Sequence, residues 1–235
     1  MAMNKNNKKQ DQNGFMNIRR QILNKNSSFA VQEAYKTLRT NVRFFLQGKG
    51  CKRICITSAA AGEGKSITLL NLAISFAEAG QKVLLIDADL RRPALARLLV
   101  EKATPGLSNV LAGLSSTEEA VHKDVYPNLD IILSGDVPPN PSELLGGGKM
   151  EELIERMSLE YDYILVDTPP VNVVSDACIV ANLLDGVLLL TRQGSSKRDG
   201  VKRAVANLQL TGAKLLGFVL NGAALEGKKS YGYYG

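Results

Sequence analysis

Nine residues constrain this chain more than any others: Ser58-Ala59-Ala60-Ala61-Gly62-Glu63-Gly64-Lys65-Ser66, set between an apolar run and a helical stretch. A glycine-rich turn from a strand into a helix is what a phosphate-binding loop requires. Gly62 and Gly64 let the backbone fold tightly enough to aim successive N–H groups at phosphate oxygens. The helix behind presents its positive dipole end to the same anion. Lys65 is placed to reach β- and γ-phosphates, and the Ser66 hydroxyl to ligate magnesium. Ala59 stands where the G-x-x-x-x-G-K-[ST] pattern has its first glycine. A chance turn before a helix is the competing reading, and Gly-Lys-Ser at such a junction disfavours it.

The rest of the chain alternates in the same way. Apolar runs at 53–57, 82–89, 129–134, 161–167, 186–191 and 214–221 read as strands, separated by helical stretches at 65–80, 148–160, 174–184 and 196–211. Continuous rather than alternating apolar runs, interleaved with helices, indicate a mostly parallel sheet covered on both faces. The expected fold is therefore α/β, a doubly wound sheet flanked by helices. A further helix begins at Ser27 or Ser28, with Val31, Tyr35, Leu38, Val42 and Phe45 at helical spacing and Gly48 ending it. The stretch from Arg91 to Pro141 reads as looser, because each proline drives the preceding residue from helical angles. It is either a rim to a site or a rigid connection.

Charge is concentrated at the ends. Six basic groups against Asp11 put +5 on residues 1–30, Lys228 and Lys229 add +2, and the net +6 leaves residues 31–227 at −1. A neutral body argues against nucleic acid as a partner; the basic ends are either solvated arms or contacts to an anionic surface. We expect a flexible arm over 1–28, a single folded domain over 29–225 and a flexible tail over 226–235. Cys51, Cys55 and Cys178 are too few for a disulfide framework, and with only His122 a zinc cluster is hardly buildable. No apolar run reaches the ~18–20 residues of a membrane span, and the N-terminus does not read as a signal peptide. A soluble protein of a reducing compartment is expected.

Two further strands run into acids, Asp87 and Asp89 after the first and Asp167 after the second. In a parallel sheet, ligands bind beyond the carboxyl ends of the strands, beside the phosphate loop. Like charges gathered there repel, and a hard cation resolves the cost. One acid of the Asp87/Asp89 pair can bind magnesium while the other accepts a proton from an attacking hydroxyl. Capping or turn acids are the alternative for any one of the three.

AGEGKS (61–66), LLIDADLRRP (84–93), ILVDTPP (164–170), GLSNVLAG (106–113), PPNPSELL (138–145) and the tail YGYYG (231–235) together resemble a bacterial tyrosine kinase. These are the kinases of capsular and exopolysaccharide synthesis, P-loop proteins related to the Min and Par ATPases. The resemblance runs from about Glu33 to the end of the sequence. It implies ATP held by Ala61, Gly62, Glu63, Gly64, Lys65, Ser66, Ile67 and Asn221. Mg2+ is implied at Ser66, Asp89 and Asp167, and catalysis by Lys65, Asp87, Asp89 and Arg91, with the base among the two acids left open. It further implies autophosphorylation at Tyr231, Tyr233 and Tyr234. A ring-like homo-oligomer is implied through Glu33, Lys36 and Arg39, where Lys36 replaces the family's usual Arg. Ala61 and Ile67 replace the family's usual Pro and Thr.

The tail argues independently, since three tyrosines in the last five residues, spaced by glycines, are placed where chain ends are usually mobile. A packed or adhesive terminus is the alternative. A kinase that phosphorylates its own tail in trans and other proteins is the favoured reading. A Min/Par-type ATPase switch is second, disfavoured because Ala60 stands where those proteins carry a signature lysine. A nucleotide-bound regulatory subunit is third. The resemblance also implies a separate membrane-bound activator that recruits a cytoplasmic kinase to the inner face of the membrane.

Overall fold

The computed structural model describes residues 19–223; Tyr231, Tyr233 and Tyr234, Lys228 and Lys229, and the arm up to residue 18 lie outside them. Helix α1 (Phe29–Phe45) leads into β1 (Lys52–Ser58), α2 (Lys65–Glu78) and β2 (Val83–Asp87). Three short helices follow, α3 (Leu95–Leu99), α4 (Leu107–Ala112) and α5 (Thr117–Ala120), then β3 (Val121–Tyr126) and β4 (Leu129–Ile132). The remainder is α6 (Pro141–Gly146), α7 (Gly148–Met157), β5 (Tyr163–Asp167), α8 (Asp176–Ala181), β6 (Gly186–Arg192), α9 (Arg198–Leu210) and β7 (Leu215–Asn221). The sheet order is β3-β4-β2-β5-β1-β6-β7, parallel throughout except for the antiparallel β3–β4 pair.

Each central strand is apolar on both sides because each side meets helices. Ile54, Ile56, Leu85 and Leu165 face one core with α1 and α2, whereas Cys55, Leu84, Ile86 and Val166 face the other with α7, α8 and α9. This is why the apolar runs are continuous rather than alternating. The register sets Asp87 directly beside Asp167 at the carboxyl ends of β2 and β5.

Three expectations are corrected. The strand expected at 129–134 is present as β4, but the rest of the region from Arg91 to Pro141 is not a loose connection: it holds α3, α4, α5 and β3. Its helices of four to six residues are too short to show a 3.6-residue period. Strand β3 is a half-exposed edge strand whose residues never form an apolar run. Ser28 caps α1 by accepting from Val31 N at 3.4 Å, but its inward face closes with Leu46, and Phe45 is 56% exposed. The folded body also begins before residue 29. Ile22 and Leu23 are buried against α2, where Leu23 N donates to Asn71 Oδ1 (2.8 Å) and Asn71 Nδ2 donates to Gln21 O (2.9 Å). Two apolar residues inside a polar stretch are enough to anchor it, because a buried asparagine satisfies the backbone between them.

Candidate active site

The turn between β1 and α2 is built around Gly62 and Gly64, at φ +79° and +99°. Gly64 starts α2 with no side-chain cap, leaving the first N–H groups of a 14-residue helix for an external acceptor. A Cβ on Gly64 would meet Asn221 Nδ2 at 2.3 Å, so the loop and the end of β7 approach as closely as a glycine allows. Asn221 Nδ2 donates to Glu63 O (2.8 Å). Glu63 is buried, and its carboxylate accepts from the Ser196 hydroxyl. Arg192 at the end of β6 donates to Gly62 O (3.2 Å). The loop is thus braced by Asn221 and Arg192 at two neighbouring strand ends and by Ser196 in the turn after β6. Of these only Asn221 was anticipated. Arg192 ends a parallel strand on the ligand side, a position that could have flagged it.

Behind the loop the acids separate by depth. Asp167 is fully buried, and neither of its carboxylate oxygens has a hydrogen-bond partner among the described residues. Burial pushes its pKa up to about 6, against the pull of the Lys65 charge and the nearby Ser66 hydroxyl. Burial, and then the charges of Asp167 and Asp89, hold Asp87 well above the usual carboxylate range. Asp87 also accepts from Asp89 N (3.2 Å) and Leu95 N (3.3 Å), so it shapes the turn into α3 as well. Asp89 reaches the open cavity and accepts from Arg92 N (3.0 Å). Among the described residues no three His, Cys, Asp or Glu side chains are grouped to hold an ion by themselves. The three acids therefore do not form a closed cage. An orphaned buried carboxylate beside a serine hydroxyl fits Mg2+, which takes one or two carboxylates and completes its shell with phosphates and water.

Arg91 lines the cavity, but its charge is answered: Nε and Nη2 donate to the two carboxylate oxygens of buried Asp176 (2.8 and 3.2 Å), and Nη2 to Ser142 Oγ (2.9 Å). Ser142 donates to Asp176 in turn (2.7 Å). Asp176 opens α8, and its hold on Arg91 across 85 positions leaves no local signal in the sequence. The cavity, about 1070 Å³, joins Ala61, Gly62, Gly64, Lys65, Ser66 and Ile67 to Asp89, Arg91 and Asn221. Glu33, Lys36 and Arg39 lie apart on α1. Lys36 pairs with Glu33 at 2.7 Å, and Arg39 donates to the Ser75 carbonyl and hydroxyl on α2.

A parallel sheet, a glycine loop opening onto an uncapped helix and acids at adjoining strand ends define a P-loop nucleotide-binding protein, and the AAA domain family model matches residues 51–214. Within that class the chain belongs to the bacterial tyrosine kinases. It is 43% identical over 203 residues to Tyrosine-protein kinase YwqD of Bacillus subtilis, covering 86% of each chain. To Tyrosine-protein kinase CpsD of Streptococcus agalactiae it is 40% identical over 206 residues, covering 87% and 89%. The solved kinase domain of the Escherichia coli tyrosine kinase ETK superposes with a TM-score of 0.80 at 35% identity, over 86% of this chain and 80% of that one. The cell division ATPase MinD of Pyrococcus furiosus follows at 0.62 and 29%, over 72% and 71%.

Proposed function

We propose that this enzyme transfers the γ-phosphoryl group of ATP, with Mg2+, to tyrosine hydroxyls. Its acceptors are Tyr231, Tyr233 and Tyr234 of another subunit and tyrosines of other proteins in capsular or exopolysaccharide synthesis. The observation that carries the reading is Asp167, a buried carboxylate with no hydrogen-bond partner among the described residues, near Lys65 and Ser66 beside an open helix N-terminus. Lys65 and the backbone of Gly62 to Ile67 would cradle the phosphates. Ser66 and Asp167, with Asp89 at the cavity wall, would hold Mg2+, which supplies charge neutralisation during transfer. A carboxylate of the Asp87/Asp89 pair takes the tyrosine proton, and Arg91, fixed by Asp176, stands over the same space. Phosphoryl transfer needs mostly positioning and electrostatics from the protein, which is what these residues offer.

Assembly through α1 is supported by the Glu33, Lys36 and Arg39 face and by Phe29 and Phe44, which this helix leaves exposed. No helix among the described residues is long and apolar enough to cross a membrane, and a separate membrane-bound activator would bring the kinase to the inner face of the membrane. The test is an antiphosphotyrosine blot with intact mass. Wild type with ATP and Mg2+ should gain up to three phosphates, Lys65→Met none, and the triple Tyr231, Tyr233, Tyr234→Phe variant none on itself. Full phosphorylation of Lys65→Met would remove the phosphate loop from the mechanism.

A further inference from the structure

Arg192, the last residue of β6, has both polar groups of its backbone tied down. Its N–H donates to Ser196 Oγ (2.7 Å), and its carbonyl accepts from Ser195 N (3.1 Å) and Ser196 N (3.0 Å). The Ser196 hydroxyl donates to the carboxylate of Glu63, which is 1% exposed inside the phosphate loop and also accepts from Ala60 N at 3.4 Å. Arg192 stands opposite Asn221 in the β6–β7 ladder, and Gln193 N donates to Asn221 O (2.9 Å). With the Arg192 guanidinium on Gly62 O, these bonds close a ring from the loop through Ser196 and back to the loop.

The guanidinium itself is little used by the ring. Of its five N–H groups, Nη1 alone has a partner among the described residues, Gly62 O at 3.2 Å. Arg192 forms no ion pair among the described residues, whereas Arg91 is answered by Asp176. Its charge is left in the open cavity, whose wall it shares with Gly62, Gly64, Lys65, Ser66 and Asn221. A buried acid in a loop that must receive phosphates opposes binding by its charge. Here its hydrogen bond fixes the turn that presents a cation to the same space.

We propose that Arg192 is a further nucleotide-binding residue: its guanidinium takes an oxygen of the ATP phosphate chain where the loop turns at Gly62. Ser196 and Glu63 are its positioning residues. The proposal rests on the nucleotide site of the kinase reading and adds to Lys65 a second cation for the phosphates. A guanidinium suits the role because it donates charge-assisted hydrogen bonds from a planar fork. Fixing its backbone beforehand lowers the cost of ordering it when ATP binds.

The test measures binding to the full chain, with Mg2+, by displacement of a fluorescent ATP analogue. ATP and tripolyphosphate, which has no base or ribose, are compared across a salt series. Arg192→Gln should weaken both by about tenfold or more, as expected for loss of a hydrogen bond from a charged group. The fall of ATP affinity with salt should become shallower, because one cation fewer is screened. Arg192→Lys should recover part of the loss. Ser196→Ala should give a smaller loss with the salt dependence intact, and Ser196→Thr should restore binding. Unchanged ATP affinity in Arg192→Gln would overturn the proposal. So would a loss confined to ATP with tripolyphosphate unaffected, which makes Arg192 a contact to base or ribose. Equal losses in Arg192→Lys and Arg192→Gln, with the salt dependence of wild type, would reduce Arg192 to a brace and overturn it too. Wild type that bound neither ligand would strike the nucleotide reading itself, and the proposal with it.

Discussion

Asp167 bears the electrostatic cost of the site. Its carboxylate oxygens are buried with no hydrogen-bond partner among the described residues, and burial pushes its pKa up to about 6 from an ordinary 3.8. A carboxyl that holds its proton more tightly when folded weakens the fold above that pKa and costs nothing below the unfolded value. Without nucleotide and magnesium, Asp167→Asn should therefore melt higher than wild type at pH 8. The gain should fade as pH falls through about 6 and vanish below about 4. With Mg2+ and ATP the order should invert, because only the carboxylate gains a cation; differential scanning fluorimetry across pH reads both. A variant that melts lower than wild type at pH 8 in the empty protein would contradict the assignment. Arg91 gives a second expectation at this scale. Asp176→Asn leaves the guanidinium without its fixed partner, so kcat should fall by at least tenfold with the ATP KM little changed. Arg91→Ala combined with it should add little, as expected of residues acting as one unit. Additive losses in steady-state assays would separate the two.

At the scale of elements, the strands that carry the site were legible because a buried parallel strand leaves a continuous apolar run ending in a functional residue. Ser58, Asp87 and Asp167 close such runs, whereas Asn221 closes an apolar run that forms the half-exposed edge strand β7. The phosphate loop was legible through its glycines. What was not legible depended on contacts distant in sequence: Asp176 on Arg91 spans 85 positions, and Ser196 on Glu63 spans 133. The short elements α3, α4, α5 and β3 were hidden for the opposite reason, being too brief or too exposed to leave a period. The N-terminal segment tests this lesson. Leu23 is 4% exposed in the core, so Leu23→Ala should cost about 2–4 kcal/mol in urea unfolding, where a flexible arm would lose nothing. The Arg53–Asp185 pair ties the start of β1 to the turn before β6, at 2.9 Å and with Arg53 N on Asp185 Oδ2 at 2.7 Å. Burial raises the Asp185 pKa, but the Arg53 side chain and backbone more than offset this and hold it below the usual range. Its contribution is present above the unfolded pKa and lost as pH falls through the folded one. Asp185→Asn should then cost about 1 kcal/mol at pH 7 and nothing near pH 2.

At the scale of the whole molecule, phosphorylation of the tails should loosen assembly. If tails are phosphorylated across subunits, each phosphate adds about −1.5 to −2 charges beside Asp87, Asp89 and Asp167, and a modified tail should leave the neighbouring site. ATP with Mg2+ should then convert an oligomer into smaller species in light scattering, while the triple Tyr→Phe variant stays assembled. Glu33→Ala with Arg39→Ala should give small species that phosphorylate slowly at low concentration. Arg39 also bonds Ser75 within its own chain, so a melting curve must accompany the size measurement.

The central claim is that the γ-phosphate goes to tyrosine and not to water. A single-turnover reaction of the full chain with γ-labelled ATP and Mg2+, quenched in acid and partitioned between phosphotyrosine and free phosphate, decides it. Label should appear in phosphotyrosine at a rate per molecule that rises with protein concentration, and not at all with Lys65→Met. Label appearing only as free phosphate, at the same rate per molecule at every concentration, would contradict it and leave an ATPase switch.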